Sequence, residues 1–171
     1  MKQTFVPATR GNNGVPQTIS DKYKTGEAIV IGSLVLRDAN GEFVLFGGGT
    51  DAVVFGVAEE AAGSKLNYGE PFSSQTTGIV AGRLQHISVA QADRETTFMA
   101  RGVNGGTDPV TPLQTHVGEE YGVAKDSDGS WYVDIAEVTT KIVHIVKIHP
   151  AQGGQIGLFE VKFLEAVLQT P

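Results

Sequence analysis

The chain has 171 residues, which suits a single domain, and it lacks cysteine, which excludes disulfides, thiolate metal sites and thiol nucleophiles. Its formal net charge is −6 and its lysines and arginines are not clustered, so we expect no nucleic-acid partner. The sequence has neither an apolar stretch long enough to cross a membrane nor the apolar segment of a signal peptide, so we expect no membrane partner and synthesis in the cytoplasm.

The first 24 residues differ in pattern from the rest of the chain. Their apolar residues follow no regular period, and Pro7 and Pro16 oppose a central strand. We therefore predict an extended N-terminal arm over residues 1–24 and a single β domain over residues 25–171, with a terminus that packs on its own domain as the alternative. The apolar residues predicted to contact a partner are Phe5, Val6, Val15 and Ile19. Deletion of residues 2–18 should then leave the β domain nearly as stable.

Strand and turn signals begin at residue 28. Residues 28–36 are almost continuously apolar, as in a strand buried on both faces. Asn40-Gly41 tolerates the positive φ of a type I′ turn, so the apolar run at residues 43–46 completes a predicted β-hairpin. Residues 53–58 predict a third strand.

The rest of the chain predicts further strands. Asp128-Gly129 predicts a second hairpin, and Phe159, Val161 and Phe163 alternate with charged residues as in a half-exposed strand. Other strands are predicted at residues 79–81, 84–90, 96–100, 116–125, 131–138, 141–149 and 158–168, and a loop at residues 102–112. A sustained helical stripe is missing, so we predict an all-β domain, a small barrel or sandwich of about 8–10 short strands.

The residues that could carry chemistry form no pattern typical of catalysis or metal binding. His144 and His149 are five residues apart on one predicted strand, so their side chains point to opposite faces and cannot share an ion without a bulge. His86 and His116 have no partner at ligand spacing. Residues 126–129 resemble the start of a calcium loop, but glycine comes fourth instead of sixth, which favours a hairpin turn. We therefore predict no metal, no cofactor and no enzymatic activity.

Glycines and apolar residues recur in a characteristic rhythm over residues 25–90. The segments that carry this rhythm are Thr25-Gly26-Glu27-Ala28, Gly32-Ser33-Leu34-Val35, Val53-Val54-Phe55-Gly56-Val57-Ala58 and Tyr68-Gly69-Glu70. In this respect the chain resembles the capsid decoration, or cement, proteins of tailed bacteriophages. The resemblance implies a small β-barrel or sandwich on the outer capsid surface of the virion, with the major capsid protein as partner and a homotrimer as the assembly. It also implies that the apolar residues of the arm bind the capsid.

Two other classes of protein remain open. A ligand-binding β-barrel would have an interior cavity and act as a monomer, whereas a cement protein would have a filled core and form an oligomer. A receptor-contacting virion appendage, such as a head fibre or tail component, fits the same composition. A hydrolase whose residues meet only in space is a third and weaker alternative.

Overall fold

The computed structural model describes residues 5–11, 14–48, 53–62, 86–105, 108–127, 129–150 and 157–169. These residues form thirteen β-strands and two short 3-10 helices, Gln114–His116 and Glu165–Val167. The strands are β1 Val6–Arg10, β2 Thr18–Lys22, β3 Leu34–Arg37, β4 Phe43–Leu45, β5 Gly56–Ala58, β6 His86–Gln91, β7 Thr96–Ala100, β8 Gly102–Val103, β9 Pro109–Val110, β10 Glu120–Lys125, β11 Trp131–Asp134, β12 Val143–His149 and β13 Leu158–Phe163. The prediction of an all-β fold is confirmed.

The larger sheet has eight strands in the order β1-β7-β13-β12-β10-β11-β8-β9. Its neighbours pair antiparallel, except that β11 and β8 are parallel. The alternation predicted for β13 is confirmed, because Phe159, Val161 and Phe163 are buried while Glu160 and Lys162 lie on the outer face. The inner face of this sheet therefore supplies much of the main hydrophobic core.

The smaller sheet has five strands in the order β2-β6-β5-β3-β4. It curls until its two edge strands approach each other: Tyr23 bridges Phe43, and the Lys24 N–H donates to the Phe43 carbonyl at 2.9 Å. Arg37 on β3 adds an ion pair of 2.8 Å with Asp21 on β2. These contacts do not amount to a continuous ladder, so the sheet stays open.

The two faces of the smaller sheet bury two different clusters. Along β3, Leu34 points into the main core shared with the larger sheet, and the next residue, Val35, points into a second cluster inside the curl. Phe43 and Phe55 fill that second cluster, and the Arg37 guanidinium lies over both rings at 4.7 and 4.8 Å from their centroids. Strand β3 of the smaller sheet is thus buried on both faces, which explains why apolar residues follow one another directly along it.

The N-terminal segment differs from the predicted separate arm. Its described residues supply the edge strand of each sheet, β1 in the larger and β2 in the smaller. Phe5, immediately before β1, is 1% exposed and belongs to the main core. The alternative, a terminus that packs on its own domain, therefore describes this segment. Pro7 is compatible with β1 because an edge strand leaves one row of backbone groups unpaired.

The strand predicted over residues 28–36 is shorter than expected. It begins at Leu34, because a turn occupies Val30 to Ser33, closed by the Ser33 N–H donating to the Val30 carbonyl at 3.0 Å. Gly32 has a φ of 81° in this turn. The Ser33 hydroxyl also accepts the Val30 N–H at 3.1 Å, which fixes the turn from both sides.

Both predicted hairpins are confirmed, with the same turn in each. The Gly41 N–H donates to the Asp38 carbonyl at 2.9 Å and the Asp38 N–H donates to the Glu42 carbonyl at 3.0 Å. The loop therefore has three residues with glycine at positive φ, not the two of a type I′ turn. Asp126 and Gly129 make the equivalent bonds between β10 and β11.

Other predicted segments differ in extent, among them the strands predicted at residues 116–125, 131–138 and 158–168, which are shorter in the structure. The third strand covers Gly56–Ala58 only, and the predicted loop at 102–112 contains the short strands β8 and β9. The strand predicted at residues 79–81 lies outside the described residues.

Candidate functional site

The four apolar residues predicted to contact a partner do not form one surface. Phe5 packs inside the chain, with its ring stacked on Phe163 at a centroid distance of 5.8 Å. Ile19 on β2 is half-buried and packs against the second cluster. The prediction that Phe5 is free to contact a partner is therefore wrong, because the core of its own domain already covers the ring.

Val6 and Val15 are the two predicted residues that remain accessible. Val6 lies on the outer face of the larger sheet opposite Met99 and is 40% exposed. Val15 lies in the connection between β1 and β2 and is 86% exposed. Only these two therefore remain candidates for contact with a partner.

The turn at Val30–Ser33 presents apolar residues that the sequence had placed inside a strand. Ile31 is 59% exposed and Val30 is 38% exposed, although Ser33 beside them is fully buried. The neighbouring Gly129 of the β10–β11 hairpin lies so close that a Cβ built there would be 3.6 Å from a Val30 methyl group. The Gly32-Ser33 pair was the signal for this turn, since both residues favour turns.

The exposed apolar side chains outside the sheets thus include Val15 and the Val30–Ile31 turn, besides Leu113 and Val138. Monomeric proteins also expose single apolar residues, so exposure alone is a weak signal. Two β-branched residues together at the tip of a hydrogen-bonded turn are more typical of a contact surface, since they are presented at little further cost in conformational entropy. We call Val15, Val30 and Ile31 the exposed apolar residues.

The outer face of the larger sheet carries a polar network. The carboxylate of Glu160 contacts the imidazole of His149 at 3.0 Å and accepts a hydrogen bond from the hydroxyl of Thr97, also at 3.0 Å. Burial raises the pKa of Glu160, but the hydrogen bonds from His149 and Thr97 and the nearby charges of His149 and Lys147 outweigh it, so the net pKa is lowered. Among the described contacts of this network, the potential nucleophile is the hydroxyl of Thr97, a residue that is only 5% exposed.

The two histidines of β12 lie on the same face, contrary to the prediction. The pairing with β13 shifts between Ile145 and Lys147, and this bulge restores the same orientation to His144 and His149. They stand opposite Lys162 and Leu158, four residues apart along β13, or roughly 13 Å at the usual strand rise. That separation is too large for both side chains to bind one ion directly.

The remaining candidates for metal binding are also separated. His116 accepts the Leu113 N–H at its Nδ1 atom and packs edge-on against Phe159, while His86 lies on β6 of the other sheet. Among the residues that the structure describes, no three histidine, aspartate or glutamate side chains are grouped to hold a metal ion.

We expect chelation to leave the fold unchanged. The described contacts that hold both sheets are hydrogen bonds and apolar packing, so removal of divalent ions with EDTA should shift the melting temperature by less than about 1 °C. The measurement is a pair of thermal melts, with and without EDTA. A lowered melting temperature that zinc or calcium restores would contradict this prediction.

No known protein family, curated protein or solved structure matches the chain. Within the described part of the chain, no helix is long and apolar enough to span a membrane.

Proposed function

We propose that the chain is a structural virion protein that binds the outer surface of a bacteriophage capsid and stabilises contacts between major capsid protein subunits. The observation that carries the proposal is the combination of two filled cores with apolar residues exposed in the connections between strands. Val15 and Ile31 are 86% and 59% exposed, and neither belongs to a cluster. The rhythm of glycines and apolar residues over residues 25–90 points to the same class of protein.

A rigid β scaffold with small apolar contacts suits attachment to a repeating lattice. One contact of this size binds weakly, but several copies held together act at a high effective concentration on neighbouring subunits. We therefore propose a homotrimer placed over three-fold or quasi-three-fold positions, where each copy contacts the major capsid protein. Linking adjacent subunits in this way would oppose their separation under internal pressure.

A ligand-binding barrel receives less support from the described residues. The inside of the curled sheet is occupied by side chains of the protein itself, with Phe43, Phe55, Ile87 and Val89 each no more than 1% exposed. These residues fill the space that a ligand would need. A receptor-contacting appendage would use the same exposed apolar residues, so the position on the virion distinguishes it from a cement protein.

The test is co-sedimentation of the purified chain with undecorated capsids of the virus that encodes it. We expect binding by the wild-type chain, and a loss of about tenfold or more in affinity when Val15→Asp and Ile31→Asp are combined, because a charge would be desolvated at each contact. Val138→Asp is the matched control, since Val138 is also exposed, at 58%, but lies in the connection between β11 and β12.

Four results would count against parts of the proposal. Failure of the wild-type chain to bind capsids would reject capsid decoration, and density on the tail or on fibres in virion images would favour the appendage. Normal binding by the double variant would place the attachment surface elsewhere on the chain. Capsid images with isolated single copies would reject the trimer.

A further inference from the structure

The last residues of β1 are held in place by two carboxylates from neighbouring strands and turns. The first is Asp93, whose Oδ2 atom pairs with Nε of Arg10 at 2.9 Å. Its Oδ1 atom accepts the Thr96 hydroxyl at 2.8 Å, the Thr96 N–H at 2.7 Å and the Glu95 N–H at 2.9 Å. Asp93 is therefore fixed by the start of β7 and binds the end of β1.

The second carboxylate, Glu160 on β13, acts on β1 through a hydroxyl group. Thr97 has one hydroxyl proton and three potential acceptors, Glu160 Oε1 at 3.0 Å, the Thr9 hydroxyl at 2.9 Å and the Thr9 carbonyl at 3.3 Å. An ionised carboxylate is the strongest acceptor, so the proton is directed to Glu160. The Thr97 oxygen is then available to accept the Thr9 N–H at 3.2 Å and the Thr9 hydroxyl proton at 2.9 Å.

Strand β1 has few other polar attachments. Among the described residues it pairs with β7 alone, its ladder is interrupted between Pro7 and Thr9, and Pro7 has no N–H to donate. The Arg10 N–H bonds within the following turn, to the Gly14 carbonyl at 2.9 Å, and the Gly11 N–H donates to the Glu95 carbonyl at 3.1 Å. The end of β1 therefore depends on the two carboxylates more than an inner strand does on its side chains.

Both carboxyl groups are ionised in the folded chain well into the acid range. Burial raises the pKa of Asp93. Its hydrogen bonds with Thr96 and Glu95 and the charge of Arg10 lower the pKa by more than burial raises it, so the net pKa is below the usual value. The net pKa of Glu160 is lowered likewise. A pKa lower in the folded than in the unfolded chain means stabilisation that is present above the unfolded value and is lost as the pH falls through the folded value.

We propose that β1 is an acid-releasable edge strand, which detaches from β7 when Asp93 and Glu160 are protonated while the rest of the larger sheet stays folded. Protonated Glu160 is a neutral and therefore weaker acceptor for the Thr97 hydroxyl proton, and protonated Asp93 no longer forms an ion pair with Arg10. Release uncovers the edge of β7 and withdraws Phe5 from its place beside Phe163. This inference does not depend on the proposed capsid function.

Both carboxylates lie among other charged groups. The charged or titratable neighbours are His149 and Lys147 on β12, Lys162 on β13, and Arg10, Arg94 and Glu95 around Asp93. Lys147, Lys162, Arg10 and Arg94 are cationic side chains, so protonation of the carboxylates leaves an excess of positive charge along this edge. That excess favours release.

The test is amide hydrogen exchange of the full chain, read at single residues by NMR and corrected for the intrinsic effect of pH. We expect exchange at the Thr9 amide to rise roughly tenfold or more between neutral and acid pH, since hydrogen bonds to charged groups are lost. The Ile145 amide, which donates to the Glu119 carbonyl at 2.9 Å in β12, should keep its protection. Parallel loss of protection at Thr9 and Ile145 would show global unfolding and overturn the proposal, as would an unchanged Thr9 rate.

Substitutions separate the roles of the two carboxylates. Glu160→Gln and Asp93→Asn should each raise Thr9 exchange at neutral pH, and the double variant should lose the acid-dependent step, which a merely structural role would not predict. Glu120→Gln is the matched control. Glu120 lies on β10, away from β1, and its carboxylate forms an ion pair with Lys141 at 3.4 Å. Thr97→Val should release β1 at all pH values, and Thr97→Ser should restore the wild-type behaviour. An acid step that persists in the double variant would overturn the proposal even if another variant failed to fold.

Discussion

Replacement of Phe5 by alanine should lower the free energy of unfolding by about 3–5 kcal/mol, the usual cost of removing a buried phenylalanine side chain. Phe5 is 1% exposed and stacks on Phe163, which in turn meets Phe98 edge-on at 5.3 Å. The truncation would leave a cavity beside two rings that the sheet holds in place. Urea unfolding followed by tryptophan fluorescence measures the effect, because the single tryptophan, Trp131, is buried in the same core.

The control for Phe5→Ala is Val15→Ala, which truncates an apolar residue of the same segment that is 86% exposed. We expect the control to change stability by no more than about 0.5 kcal/mol. Equal stability of the two variants would mean that the Phe5 ring is not part of the core. The same reasoning changes the expectation for deletion of residues 2–18, which removes Phe5 and β1 together. The remaining domain should lose at least as much free energy of unfolding as Phe5→Ala does, instead of staying nearly as stable.

The sequence predicted the strands whose pattern is local. Phe159, Val161 and Phe163 show period 2 within six residues, and the structure buries them on one face. The two hairpins were equally visible, because Gly41 and Gly129 each follow an Asn or Asp residue that favours a turn. Turn type was not predictable to the residue, because the loop length depends on the register of the strands on either side.

The burial of Phe5 could not be predicted, because its partner Phe163 lies at the other end of the chain. A single aromatic residue followed by Val6 and Pro7 shows no period, so only the paired strands β1, β7 and β13 reveal that it faces the core. Tertiary pairing, not the local sequence, decided which apolar residues of the N-terminal segment became exposed. Phe5 and Val15 were predicted on the same grounds to contact a partner, yet Phe5 is 1% exposed and Val15 is 86% exposed.

The exposed turn at Val30–Ser33 was missed for a related reason. A continuous apolar run predicts a strand buried on both faces, and Leu34 and Val35 fulfil that prediction. Val30 and Ile31 belong to the same run but precede a glycine with a φ of 81°, which no β-strand adopts. The bulge in β12 is a similar case, since one extra residue reverses the facing of every side chain that follows it.

The contact between β5 and β6 depends on the absence of a side chain at Gly56. A Cβ built at this position would lie 2.2 Å from the Ala90 carbonyl oxygen and 2.8 Å from a methyl group of Val89. Gly56 pairs with Val35 on one side and Gln91 on the other, so β5 cannot shift away from one neighbour without approaching the other. The obstacle is a backbone atom, which does not have the rotational freedom of a side chain.

Gly56→Ala should therefore lower the free energy of unfolding by about 3 kcal/mol or more, at the upper end of the cost of overpacking. Gly26→Ala is the matched control, because its φ of 91° strains an alanine, although nothing lies within 4 Å of the new Cβ. That strain should cost about 1–2 kcal/mol. Urea unfolding of both variants measures the difference, and we expect the smaller loss at Gly26 despite its unusual backbone angle. If Gly56→Ala is the more stable of the two, β5 and β6 do not approach as closely as the structure places them, and the filled interior of the smaller sheet loses its main support.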